Sequence, residues 1–193
     1  MNIHRMIPQT NVEGPGRRFA IWTQGCSRHC KGCMLPETWS FAPYNQLPVY
    51  QILNKIKKNR MLEGVTILGG EPFEQSEELV ELLAGVKKTG LSTIVFTGFL
   101  LDEIRAMGDV GRKALKCIDV LIDGEYMESL RSFDIPMIGS RNQRFHFLTN
   151  RYCMEDIPPN RIETRIMKDG SVLCNGMGDF QKIKKLWRHQ HEL

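Results

Sequence analysis

Four short apolar runs punctuate the first two-thirds of the chain: Phe19-Ala20-Ile21-Trp22-Thr23, Val65-Thr66-Ile67-Leu68, Ser92-Thr93-Ile94-Val95-Phe96 and Ile118-Asp119-Val120-Leu121-Ile122. Runs this short and rich in β-branched residues read as buried strands. Helical spacing fills the gaps between them. Residues 46–59 place Leu47, Tyr50, Ile52, Leu53 and Ile56 on one face. After the second run, Ser76 is set to cap a helix with Glu77 and Glu78 in its first turn and Leu79, Leu82, Leu83 and Val86 as its stripe; Lys87, Lys88 and Gly90 close it. Residues 101–107 and 111–117 are shorter helical pieces. Strand–helix–strand repeats join parallel strands, so an α/β fold with a parallel sheet is expected. A closed eightfold barrel needs about 250 residues. With 193 residues, an open, partial β/α barrel is predicted instead.

Every one of these runs ends in a turn that could carry chemistry, and ligands in parallel sheets gather at the C-terminal strand ends. Run one leads into Cys26-Ser27-Arg28-His29-Cys30-Lys31-Gly32-Cys33, a C-x3-C-x2-C loop. The second stops at Gly69-Gly70-Glu71-Pro72, the third at Thr97-Gly98, the fourth at Asp123-Gly124. Three close thiols are one short of the four ligands of a closed zinc site or an ordinary iron–sulfur cluster. Either a distant ligand completes the set, with His29 or a later cysteine making a zinc knob, or one metal position stays open for a small molecule. Cys117, Cys153 and Cys174 are scattered, which argues against a two-cluster ferredoxin or a zinc ribbon. A cluster with one open iron is the leading expectation. Gly69-Gly70-Glu71 alone is an ordinary strand-to-loop turn; beside the cysteine loop it becomes a ligand contact, since glycine lets a ligand approach the backbone.

Composition narrows the class. A hydrophobic share of 41% and a charged share of 25% suit one globular domain. No apolar run approaches the roughly 18 residues that cross a bilayer. Met1–Pro8 has no secretory core, so a reducing, cytoplasmic setting is expected for the six cysteines. The net charge of +4 does not point to nucleic acid.

With these motifs in their order, the chain resembles the radical S-adenosylmethionine (SAM) enzymes, and within them the activating enzymes of anaerobic (class III) ribonucleotide reductase. The resemblance covers about residues 1–150. It rests on the C-x3-C-x2-C loop, Gly-Gly-Glu-Pro, Asn11-Val12-Glu13-Gly14-Pro15-Gly16-Arg17, Pro36-Glu37-Thr38-Trp39, Thr97-Gly98-Phe99, residues 119–124 and Gly139-Ser140-Arg141-Asn142-Gln143-Arg144.

The resemblance implies a [4Fe–4S] cluster on Cys26, Cys30 and Cys33, its fourth iron chelating the amino and carboxylate groups of SAM. Gly69, Gly70 and Glu71 would meet the methionine ammonium; the backbone around Gly32, Cys33 and Met34 would meet the adenine; Thr97 and Asp123 are further rim candidates. Gly32 stands where many radical SAM enzymes have an aromatic residue, which leaves adenine packing to Met34 or Phe73. Reductive cleavage of SAM would yield a 5′-deoxyadenosyl radical that makes a glycyl radical on a partner, an anaerobic ribonucleotide reductase. The electron would come from a flavodoxin- or ferredoxin-type donor. Runner-up functions are a radical maturase of another peptide or protein, and a non-catalytic zinc-binding module.

The remaining residues carry less. Residues 1–18 read as an extended lead-in with a Gly-Pro-Gly turn, and Phe145–Leu148 as a further strand holding His146. Residues 161–175 read as a hairpin turning at Asp169-Gly170, and Phe180–Leu193 as a basic amphipathic helix. The expected division is a core of 1–150 with 151–193 appended as a cap or a docking surface.

Overall fold

The computed structural model describes residues 1–180. The expected basic helix, with Ile183, Leu186 and Trp187 on its apolar side, lies outside the described residues. Among the described residues six strands form one sheet in chain order: β1 (Ile3–Thr10), β2 (Arg18–Thr23), β3 (Gly64–Gly69), β4 (Ser92–Phe96), β5 (Val120–Asp123) and β6 (Arg144–Phe147). β2 to β5 are parallel neighbours, and β1 and β6 flank them antiparallel. Four helices link the parallel strands: α1 (Val49–Lys58), α2 (Ser76–Lys87), α3 (Leu101–Ala106) and α4 (Asp109–Leu115). Among the described residues no helix is long and apolar enough to cross a membrane.

Period-two alternation along the strands divides the core. Phe19, Ile21, Val65, Ile67, Val95 and Leu121 pack with buried side chains from all four helices. Their neighbours face the other way: Ala20 and Trp22 join Ile7, while Ile94, Val120 and Ile122 join Met137, Ile138 and Ile157. The helices therefore cover one face, and the loops after β5 cover much of the other.

Three local readings differ from expectation. The lead-in is a strand, hidden from a period-two search by a bulge between Ile3 and Arg5. A one-residue slip flips the faces, so Ile3 joins the helix-side core while Ile7 joins the opposite one. Tyr50 is exposed, because Val49, Ile52 and Ile56 form the buried stripe of α1. Ser76 does not cap α2; a 3-10 turn over Pro72–Gln75 precedes it, and the Glu71 carboxylate caps that turn by accepting from Phe73 N.

The hairpin is present as β7 (Ile162–Ile166) and β8 (Val172–Gly176). Gly170 takes φ +82° in its turn, and Asp169 Oδ1 accepts from Ser171 N at 2.9 Å. It docks on the sheet face away from the helices, with Leu173 against Ile7, Ala20 and Trp22. Asn175 Nδ2 donates to Thr10 Oγ1 and Glu13 Oε1, each at 3.0 Å, and Gly176 N donates to Glu13 Oε1 at 2.8 Å. Burial pushes the Glu13 carboxyl upward, and those two donors oppose the shift.

Candidate functional site: a three-cysteine cavity

At the C-terminal ends of β2 to β5 the chain leaves the sheet in four loops, and these loops meet. Gly25, at φ +101°, turns the chain out of β2 into the cysteine loop. Backbone bonds pin that turn on two sides: Gly25 N donates to Thr38 O at 2.8 Å, and Glu71 N donates to Gly25 O at 2.8 Å. Cys26 N reaches Trp39 O at 3.2 Å, so the segment at Pro36–Trp39 braces the loop from outside. Within the loop, Cys33 N donates to Cys30 O at 3.1 Å, and Leu35 N approaches Cys33 Sγ at 3.4 Å. His29 holds φ +46°, uncommon for a residue with a side chain, and its ring lies 4.9 Å from that of Trp39.

Cys26, Cys30 and Cys33 are free thiols and line one cavity of about 140 Å³. Gly69, Gly70 and Glu71 from the end of β3 share its wall, as do Thr97 and Gly98 from the end of β4. Gly124, Tyr126 and Gln143 close the β5 side. A larger groove of about 380 Å³ along Phe147 and Tyr152 shares no wall residue with it.

Electrostatics fit a metal guest. Burial pushes the Cys26 and Cys30 thiols up, so their thiolates are disfavoured until a positive centre arrives. Glu71 is buried, and burial pushes its carboxyl up to about 7. Three donors oppose that shift: Phe73 N at 3.0 Å, Gly98 N at 2.7 Å and Thr97 Oγ1 at 2.8 Å. A carboxylate offers about four lone-pair sites, so Glu71 clamps the ends of β3 and β4 together and keeps one site for a ligand. Among the described residues no three His, Cys, Asp or Glu side chains converge tightly enough to share a single metal ion. A [4Fe–4S] cluster asks something different, since each cysteine holds its own iron.

Residues 12–146 match the family profile of a 4Fe-4S single cluster domain. The anaerobic ribonucleoside-triphosphate reductase-activating protein of Escherichia coli (strain K12) is 30% identical over 156 residues, 77% of this chain and 99% of that protein. Its counterpart in Haemophilus influenzae is 32% identical over 154 residues, 76% of this chain and 97% of the relative. That of Enterobacteria phage T4 is 32% identical over 152 residues, 75% and 92%. The chain belongs to the anaerobic ribonucleoside-triphosphate reductase-activating protein family.

Seven residues singled out from sequence as family site residues stand in this wall: Cys26, Cys30, Cys33, Gly69, Gly70, Glu71 and Thr97. Three others do not. Gly32, at φ +76°, packs beside Glu128, and Met34 is 42% exposed. Asp123 is fully buried under the rim, where it accepts from Leu101 N at 2.8 Å and pairs with Arg144 at 3.3 Å. His146 Nε2 lies 2.9 Å from Asp123 Oδ2, without hydrogen-bond alignment. Asp123 thus anchors α3 and β6 rather than facing the cavity. Phe73 is buried in the helix-side core, away from the wall. Gly98 and Gly124 of the strand-end turns read from sequence are also in the wall, and wall residues given no site role beforehand are Arg28, Thr38, Trp39, Phe96, Tyr126 and Gln143. For Gln143 a signal existed in Gly139–Arg144: its Oε1 accepts from Gly139 N at 2.8 Å, and its Nε2 donates to Gly124 O at 3.1 Å.

In this family member the glycine before Glu71 is required by space. A Cβ on Gly70 would stand 2.5 Å from Gly25 O and 3.1 Å from Thr38 O, both backbone atoms that brace the cysteine loop. Overpacking of this kind costs about 1–3 kcal/mol. Gly70→Ala is therefore expected to lower the unfolding free energy by that amount, bringing the denaturant midpoint down with it, and to speed iron loss from the loaded protein. An unchanged midpoint with unchanged iron retention would contradict this packing.

Proposed function

We propose that this protein carries a [4Fe–4S] cluster on Cys26, Cys30 and Cys33, binds SAM in the adjoining cavity, and installs a glycyl radical on an anaerobic ribonucleotide reductase. The observation that carries this reading is the sharing of one wall by the three cysteines and Gly69-Gly70-Glu71. A cluster bound there with SAM supplies reductive cleavage of the sulfonium and a 5′-deoxyadenosyl radical.

The chain's own part is to bind, orient and exclude water. Glu71 and the carbonyls of Gly69 and Gly70 meet the methionine ammonium, with Thr97 holding Glu71 in place from β4. Backbone from Gly32 through Met34, next to Cys33, forms the adenine edge, and Asp123 supports the rim from below. Trp39, Phe96 and Tyr126 give the cavity apolar walls that keep water from a reactive radical.

Two structural readings accompany it. Sequential strand order with α1 to α4 on one face supports an open β/α barrel of the radical SAM type, in which the opposite face is the lumen. Residues 1–150 are the core and 151–193 an appended unit whose hairpin caps the lumen side of β1 and β2. A cytoplasmic setting and a flavodoxin- or ferredoxin-type electron donor complete the proposal. The test is anaerobic reconstitution with iron and sulfide, then dithionite and SAM. Formation of 5′-deoxyadenosine supports the reading. Stoichiometric zinc without product would favour a binding module, and product without a reductase radical would favour a maturase.

A further inference from the structure

The sheet has two edges, and the chain treats them differently. β1 is engaged at both ends: Ile3 N donates to Asn45 O at 3.0 Å, while Asn59 Nδ2 and Arg165 Nη2 donate to Pro8 O at 3.4 Å and to Gln9 O at 2.7 Å. At the other edge none of the four residues of β6 is buried. Two bonds tell which of its backbone groups are spent on β5. Leu148 N donates to Asp119 O at 2.8 Å, and Thr97 N donates to Ile122 O at 2.9 Å, which turns the Ile122 backbone toward β4. Bonded pairs alternate along an antiparallel ladder. In the register Leu121–His146 and Asp123–Arg144, His146 and Arg144 therefore bond inward. Phe145 and Phe147 direct their N–H and C=O groups away from β5, and these groups have no hydrogen-bond partner among the described residues.

Unpaired groups along a sheet edge are a template for one more strand. What lies at the two ends of β6 gives that strand its chemistry. The groove of about 380 Å³ begins where β6 stops, with Phe147, Tyr152 and Met154 among its walls. Asp156 lines it too and, like its neighbour Glu155, is exposed with no cation against it among the described residues. At its start, β6 follows directly on Gln143, a wall residue of the cysteine cavity. The four residues between, at about 3.3 Å each, make a track on the order of 13 Å long. An edge that bonds main chain beside a groove that takes a side chain is how proteins bind an extended peptide. We infer that β6 receives an extended segment of the reductase as an added strand, with an apolar side chain in the groove and a basic one against Asp156, and so leads that segment to the cavity. This rests on the function proposed above. Continuity of the track with the cavity wall is what favours the reductase over a second copy of this chain.

The test is amide hydrogen exchange resolved to single residues, in the reconstituted protein alone and with an excess of an anaerobic ribonucleotide reductase, run beside the glycyl-radical assay. Alone, Phe145 and Phe147 should exchange freely while His146 is protected. With the reductase bound, exchange at both phenylalanines should slow about tenfold or more. Radical formation with both amides still at their free rate overturns the inference and leaves the proposed function standing. Slow exchange at both in the protein alone also overturns it, because the edge is then already taken; slowing that grows with protein concentration would name a second copy as the occupant. Met154→Lys, at an exposed position of the groove, gives an independent reading. The reductase concentration for half-maximal radical should rise about tenfold, the loss of one anchoring contact, while 5′-deoxyadenosine formed without reductase stays at the wild-type level. A rise of less than twofold overturns the inference. If the wild type forms no radical on the reductase, the proposed function falls first and this inference falls with it.

Discussion

Cys30→Ala is expected to abolish cluster binding and SAM cleavage together. Cys30 is one of three thiols on the cavity wall, and the other three cysteines, Cys117, Cys153 and Cys174, stand outside it. No spare thiol is at hand to replace it, and His29 is turned against Trp39. Loss of a residue that merely supports a metal ligand costs 10- to 100-fold; loss of a ligand should exceed that, leaving less than about 1% of the wild-type 5′-deoxyadenosine. Cys26→Ala and Cys33→Ala should match it, whereas Cys153→Ala, in a different groove, should leave cluster content and product at wild-type levels. Iron and sulfide analysis alongside the product assay checks both halves. A Cys30→Ala protein that retained its iron and its activity would remove the cluster from this loop.

Glu71→Gln should have the next largest effect, and it separates function from stability. Gln keeps one acceptor oxygen but turns an amide NH2 toward a donor at the other position, so the clamp on Gly98 N or on Phe73 N and Thr97 is broken. SAM affinity should fall about tenfold or more, one or two charge-assisted bonds being lost. Stability should respond differently. In the folded, cluster-free protein the carboxyl sits at about 7, above its ordinary 4.5, because burial outweighs the opposing donors. A raised carboxylate means that the folded state holds the extra proton between those values. Wild-type stability therefore falls as pH rises through that window, by an amount on the order of 3 kcal/mol. Glu71→Gln cannot titrate and should flatten the slope. Denaturant unfolding at pH 5 and pH 8 measures it; equal slopes in both proteins would contradict the assigned burial of Glu71.

The central strands were legible because they are buried on both faces and written as continuous apolar runs: β4 occupies Ser92–Phe96, the run read from sequence. β1 was not, because its bulge interrupts the alternation that a pattern search needs. Ser76 has the right chemistry for a cap, but Pro72 opens an earlier turn that Glu71 caps instead. In the site, Cys26, Cys30, Cys33 and Gly69–Glu71 were legible because each group is contiguous and chemically distinctive. Arg28, Trp39 and Tyr126 were not, since they come together only when separate loops converge on the rim. Asp123 shows the converse. Its place beside Gly124 suggested the rim, but the helix start at Leu101 and the guanidinium of Arg144 draw its carboxylate beneath the surface.

The most direct measurement is electron paramagnetic resonance of an anaerobic ribonucleotide reductase, recorded after incubation with the reconstituted protein, a reductant and SAM. The account predicts a glycyl-radical signal on the reductase that requires SAM and disappears when Cys26, Cys30 or Cys33 is replaced. A reductase that stays free of radical while the protein turns SAM into 5′-deoxyadenosine would contradict the assignment of its partner. A radical formed equally well by the cysteine variants would contradict the site itself.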